Sequence, residues 1–282
     1  MTDVKGKWAL ITGANRGIGY RIAKTMASYG CNLILHSRNT EHTKEVLKEV
    51  LDMGVQAYDI AAELSKPEEV QKMIDQINAK GTQVDILFND AAVQIAYRTE
   101  YYKTPVEDYT QSFLINTIAP MMLCYAFIPP MIERGFGRVI NTTSGIRNEP
   151  EQAGYSASKA ALDKVTNDLA GKLDGTDVII NLTDPGWCRT DLGGPNAPND
   201  PDSVIPGIVV GAFVDDKISG RNLGAQNFVG MTLEEAVEKA KGLWARAKEK
   251  ARAGKEWVEG KVQAGKDAVV QGYRDTRDAV RD

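Results

Sequence analysis

Tyr155 and Lys159, in Tyr155-Ser-Ala-Ser-Lys159, stand one helical turn apart, so a helix through them presents a phenol and an ammonium on one face. A free phenol has a pKa of about 10 and needs a nearby positive charge to exchange its proton near neutrality. Lys159 is placed to supply it. The spacing alone is not selective: Tyr20-Arg-Ile-Ala-Lys24 repeats it, and there the residues read as packing and surface groups. Tyr155 differs in following a strand pattern that ends Asn141-Thr-Thr-Ser144, which carries the Ser144 hydroxyl to the carboxyl edge of the same sheet. A hydroxyl, a phenol and an ammonium meeting there suit proton transfer at a carbonyl or alcohol oxygen.

A second constellation follows the first strand, in Thr12-Gly13-Ala14-Asn15-Arg16-Gly17-Ile18-Gly19. Glycines permit a tight turn, and a helix N-terminus offers unbonded N–H groups and the positive end of its dipole to a pyrophosphate. The spacing is Gly-x-x-x-Gly-x-Gly, a variant of the dinucleotide fingerprint Gly-x-Gly-x-x-Gly. The second strand ends Leu35-His36-Ser37-Arg38, with no acid to read a ribose 2′-hydroxyl. Arg38, assisted by Arg16, suits a 2′-phosphate, which favours NADP(H) over NAD(H).

Groups so far apart in sequence need a scaffold that gathers strand ends. Short apolar runs at 8–11, 32–35, 55–58, 86–88, 138–141 and 178–182 alternate with helical patterns at 15–29, 40–53, 67–80, 107–133 and 155–173. That alternation predicts an α/β fold, a doubly wound parallel (Rossmann) sheet whose ligands bind beyond the carboxyl ends of the strands. The stretch 191–206, with four prolines and two glycines, reads as a loop and a candidate substrate lid.

As a set, the glycine turn, Asp59-Ile60, Asn89-Asp-Ala-Ala92, Asn116, Ser144, Tyr155-x-x-x-Lys159 and Pro185-Gly186-Trp-Cys-Arg-Thr190 resembles the short-chain dehydrogenase/reductase family. The wording around Asp184–Ala197 is similar to its carbonyl-reductase-like branch. The resemblance implies a tetrad: Ser144 bonds the substrate oxygen, Tyr155 moves the proton, Lys159 also holds the nicotinamide ribose, and Asn116 completes the set. It implies cofactor contacts at Gly13, Asn15, Arg16, Gly17, Ile18, Gly19, Arg38, Asp59, Ile60, Asn89, Ala91, Pro185, Gly186 and Thr190. The implied activity is NADPH-dependent reduction of an aldehyde, ketone or quinone. Alternatives are a hydroxysteroid or 3-oxoacyl type of dehydrogenase, or a binding or scaffold protein on the same fold. The chain departs from the family pattern at Asp90, which replaces asparagine, and at Ala92, which replaces glycine. Its interval from Ser144 to Tyr155 is also short, which requires a compact substrate-side loop.

A net charge of −4 argues against a nucleic-acid partner. Three cysteines without metal-type spacing indicate neither a disulfide framework nor a metal site. The polar N-terminus, and the reading that no stretch is long enough to span a bilayer, predict a cytoplasmic protein. The expected partners are a small-molecule substrate and, from the resemblance, further copies of the chain in a homo-oligomer. The catalytic domain is expected over 1–231. From 232 to 282 the composition turns to Ala, Lys, Glu and Arg and repeats at eleven residues (244–254, 255–265, 266–276), which lines Ala247, Val258, Val269 and Val280 along one helix face. Three readings of this tail stand: packing on the domain or another subunit, a solvated segment, or a membrane-surface helix. The last is disfavoured by a charge of only +2, from 12 basic and 10 acidic residues.

Overall fold

The computed structural model describes residues 1–243 together with 262 and 263. The chain divides into two units, Met1–Glu238 and Lys239–Asp282. Residues 233–243 are helical, while the eleven-residue repeat lies almost wholly outside the described residues.

The first unit is built on seven parallel strands: β1 (Trp8–Ile11), β2 (Asn32–Ser37), β3 (Ala57–Ala61), β4 (Val84–Asn89), β5 (Gly137–Thr142), β6 (Val178–Asp184) and β7 (Asn222–Gly224), in the order β3-β2-β1-β4-β5-β6-β7. Ile34, Leu10, Leu87, Val139 and Ile180 form one register row across five strands. Parallel strands covered on both faces are apolar throughout, which is why they were legible as continuous runs. The row is capped by α3 (Pro67–Ala79), α5 (Ala119–Arg134) and α6 (Ala153–Ala170) through Val70, Met73, Phe127, Met131 and Leu162. Helices α1 (Gly17–Ser28), α2 (Lys44–Asp52) and α7 (Ile205–Phe213) pack together, and α4 (Val106–Phe113) packs on α6.

Three expectations are corrected. The single helix expected over 107–133 is α4 and α5 joined by a π-helical turn, Leu114–Ile118. Pro120 has no N–H to give to the Asn116 carbonyl four residues back, so one rung of the α-helical ladder is missing at this point. The run Val106–Arg134 is also, by length and a hydropathy of 1.5, sufficient to cross a bilayer, contrary to the sequence reading. Its apolar side chains serve the core instead, with 56% of its most apolar stretch buried. The proline-rich loop ends at Ile205, where α7 begins, so 205 and 206 belong to a helix.

Candidate active site

Strand order reverses between β1 and β4, so a cleft opens at their carboxyl ends. The glycine turn fills the β1 side. Gly13 lies at φ +71° and Gly17 at φ +59°, backbone that an L side chain rarely adopts. A Cβ on Gly19 would sit 2.3 Å from the Gly13 oxygen, so only glycine lets α1 start this close to its strand. A Cβ on Gly17 would occupy the gap toward Thr190, 3.6 Å from its Cγ2. Arg16 caps nothing with its side chain and the first turn of α1 holds no acid, so that end is prepared for an outside anion.

Two residues hold this turn: Thr12, which opens the motif, and His36, which lies outside it. The Thr12 hydroxyl accepts from the Asp90 and Ala91 N–H groups, each at 3.0 Å, and donates to the Phe88 carbonyl. His36 is buried; its Nδ1 accepts from Gly13 N–H at 3.3 Å, so Nε2 carries the proton and donates to the Ala62 carbonyl at 3.0 Å. Burial lowers its pKa to about 4, which keeps the ring neutral and Nδ1 an acceptor. The only sequence signal was its place two residues before Arg38.

The other cofactor candidates are distributed unevenly. Asn15 and Ile18 are half-buried in the turn and at the start of α1, and Ala91 lies against Gly13. Arg38 is exposed beyond the end of β2, whereas the exposed Arg16 is ion-paired with Asp191 of the loop. Asp59 accepts from the Thr43 hydroxyl at 2.9 Å. Ile60 belongs to the core, and the Asn89 amide donates to Asn141 Oδ1 at 2.8 Å inside the sheet, so these side chains support the cleft rather than line it. Pro185, Gly186 and Thr190 follow β6 on the far side of the cleft.

Ser144, Tyr155 and Lys159 come together at the ends of β5 and α6. Gly154 allows this, since a Cβ there would lie 2.8 Å from the Asp108 oxygen and hold α6 away from α4. Burial raises the Tyr155 pKa above 10, a hydrogen bond from Ser144 opposes the rise, and the charges of Asp184 and Asp90 add to it. The phenol therefore holds its proton in the free protein. Lys159 Nζ is 5.9 Å from the Tyr155 ring centroid and donates to the Thr142 carbonyl at 2.7 Å. Burial lowers the Lys159 pKa to about 8, opposed by Asp90, Asp163 and Asp184.

Asn116 hydrogen-bonds to none of these three side chains. Its amide donates to the Val93 carbonyl at 2.9 Å and to Ser158 Oγ at 3.0 Å, and its Oδ1 accepts from Val93 N–H. Thr117 adds a bond from its hydroxyl to the Ser158 carbonyl at 2.8 Å, so the π-helical turn fixes α6 one residue before Lys159. Tyr20 and Lys24, the repeat of the Tyr-x-x-x-Lys spacing, both donate to Glu49 at 2.7 Å and tie α1 to α2.

The candidate lid is fastened to its surroundings. Arg21 grips Asp202 with two nitrogens, Arg189 reaches Asp200, and the half-exposed Trp187 indole donates to the Gly193 carbonyl at 2.7 Å. Among the described residues no cluster of His, Cys, Asp or Glu could hold a metal ion.

Comparison with known proteins adds a third line to the sequence and the geometry. Residues 7–200 match the family model described as short chain dehydrogenase. A short chain dehydrogenase of Pseudocercospora fijiensis is 31% identical over 196 residues, 69% of this chain and 63% of its own length. The chain thus spans less than two thirds of that relative. A 3-oxoacyl-(acyl-carrier-protein) reductase of Aquifex aeolicus is 30% identical, over 67% of this chain and 77% of its own length. Among solved structures, a metagenomic short-chain oxidoreductase in complex with NADP superposes with a TM-score of 0.68 at 27% identity, covering 78% of this chain and 97% of that one.

Proposed function

The chain belongs to the short-chain dehydrogenase/reductase family, and from that membership we propose that it is an NADPH-dependent reductase of an aldehyde, ketone or quinone. The observation that carries the reading is the meeting of Tyr155 and Ser144 at the end of β5, with a buried Lys159 behind them. When bound, the nicotinamide supplies hydride to the carbonyl carbon. Ser144 and Tyr155 hold the carbonyl oxygen, and Tyr155 gives it the proton that completes the alcohol. The ammonium of Lys159, fixed by the Thr142 carbonyl, offsets the negative charge left on the phenolate. Asn116 is a positioning residue, since it acts on α6 through Ser158.

A dinucleotide fits the residues present: the gap a Cβ on Gly17 would fill, a first turn of α1 with no acid of its own, and an unburied Arg38 past β2. Gly13, Asn15, Gly17, Ile18 and Gly19 would hold the diphosphate, Arg38 the 2′-phosphate, and Thr190 with Pro185 and Gly186 the nicotinamide side. Arg38 is what favours NADPH over NADH. A second reading, reduction of a 3-oxoacyl group, is supported by the name of the Aquifex relative.

The test is binding of NADPH and NADH by the purified chain, then cofactor oxidation against aldehydes, diketones, quinones, oxosteroids and a 3-oxoacyl thioester. Turnover that is lost in Tyr155→Phe while NADPH still binds is the expected result. Undiminished turnover in Tyr155→Phe would overturn the assignment.

A further inference from the structure

Asp90 touches both halves of the cleft. One carboxylate oxygen accepts from Thr142 Oγ1 at 2.9 Å, and the carbonyl of the same threonine accepts from Lys159 Nζ at 2.7 Å. The other lies 3.1 Å from the position of a Cβ on Gly19, in the first turn of α1, where the Gly19 backbone favours the ionised carboxylate. The Asp90 backbone is pinned by Thr12. The first turn of α1 has no acid of its own, so Asp90 is the anion that this helix end holds in the free protein.

We propose that Asp90 couples dinucleotide binding to proton uptake: its carboxylate and the dinucleotide's diphosphate draw on the same helix N-terminus, and the carboxyl is neutralised when the diphosphate binds. The inference rests on the glycine turn being the dinucleotide site. Two anions at one helix end repel, and solvent screens them little in a half-buried cleft. Burial already raises the Asp90 carboxyl to about 6, against the pull of Thr142, Lys159 and the Gly19 N–H. Further negative charge moves it up into the neutral range.

The other charged groups facing Asp90 have separate signatures. From α6 come Lys159, at about 8 and so charged below neutrality both before and after binding, and Asp163, hydrogen-bonded to Thr143 and raised by burial. From β6 comes Asp184, which accepts from Gly145 and Gly186 N–H. Behind the glycine turn His36 titrates near 4, and at its mouth Arg16 is paired with Asp191. Below its free-protein pKa the contribution of Asp90 to the affinity is flat. Above it, each pH unit weakens binding by up to about ten-fold until the bound-state pKa is passed.

Calorimetric titration of NADPH near neutral pH, in two buffers of different ionisation enthalpy, counts the protons taken up. The 2′-phosphate titrates in the same range, with a pKa of about 6, and contributes equally to wild type and variant. The readout is therefore their difference. Wild type and Asp163→Asn should take up more protons per NADPH than Asp90→Asn, and Asp90→Asn should bind more tightly than wild type above neutrality. Should Asp90→Asn not fold, Thr142→Val, which removes a hydrogen bond from the ionised carboxylate, should lower the uptake at the same pH. Equal uptake in all folded proteins would overturn the proposal and leave the reductase reading standing. Absence of any NADPH binding by wild type would overturn both.

Discussion

Lys159→Met should stabilise the fold while it removes turnover. The ammonium is 2% exposed and its pKa falls from 10.5 to about 8, so the folded chain binds this proton more weakly than the unfolded one. At about 1.4 kcal/mol per pKa unit, that interval costs the charged, folded state about 3 kcal/mol. The sign follows from proton counts: between pH 8 and 10.5 the unfolded chain keeps the proton and the folded one releases it, so wild-type stability gains on the variant as pH rises. Losing the bond to the Thr142 carbonyl takes back about 1 kcal/mol in the variant at every pH. The loss of the cation also raises Asp90, so the comparison belongs above pH 8, where Asp90, at about 6 in wild type, is ionised in both proteins. Urea unfolding of both proteins across pH 8–10.5 measures the gap, which should move by up to about 3 kcal/mol in favour of wild type. A gap that stays constant across this interval would refute the reasoning, since it would mean that Lys159 is no harder to charge in the fold than in water.

Reduction should slow above pH 8 as Lys159 loses its charge, with kcat/KM falling by up to about ten-fold per pH unit in initial-rate assays. Gly19→Ala puts a methyl 2.3 Å from the Gly13 carbonyl oxygen; it should cost about 1–3 kcal/mol in urea unfolding and weaken NADPH binding by fluorescence titration. His36→Phe removes the acceptor for Gly13 N–H and the donor to Ala62, and should lower stability by about 1–3 kcal/mol together with NADPH affinity. Arg38→Asp should weaken NADPH by at least about ten-fold while leaving NADH binding nearly unchanged, a difference that paired titrations would show.

Five of the seven strands were legible because burial on both faces writes each as an apolar run bounded by polar turns, whereas β3, at the sheet edge with Ile60 its one buried residue, was expected at 55–58 and lies at Ala57–Ala61. β7 was not, being three residues long, and α7 was not because Ile-Pro-Gly-Ile-Val-Val-Gly-Ala-Phe is buried almost all round and carries no helical period. Tyr155, Lys159, Ser144 and Asn116 were legible because their spacing and chain order carry the pattern. The supports were not: Thr12 reaches Asp90, His36 reaches Gly13, and Asp90 reaches Thr142 across 52 residues, pairings that only the sheet creates. The departure at Asp90 was visible, but its consequence depended on the first turn of α1 beside it and on Thr142, which links it to Lys159. Asn89 and Ile60 illustrate the converse, motif positions whose side chains the fold turns inward.

The π-helical turn at Leu114–Ile118 acts as a one-residue insertion within a continuous helical run. A helix advances about 100° per residue, since 3.6 residues complete a turn. Deleting any one residue between Leu114 and Ile118 would take out the inserted residue and swing α5 by that angle relative to α4. Phe127 and Met131 would leave the core, or Asn116 would leave Ser158. The reading frame of this segment is thus locked from both ends, by packing on one side and by the seat of Lys159 on the other, so it should tolerate exchanges of residue type far better than changes of length.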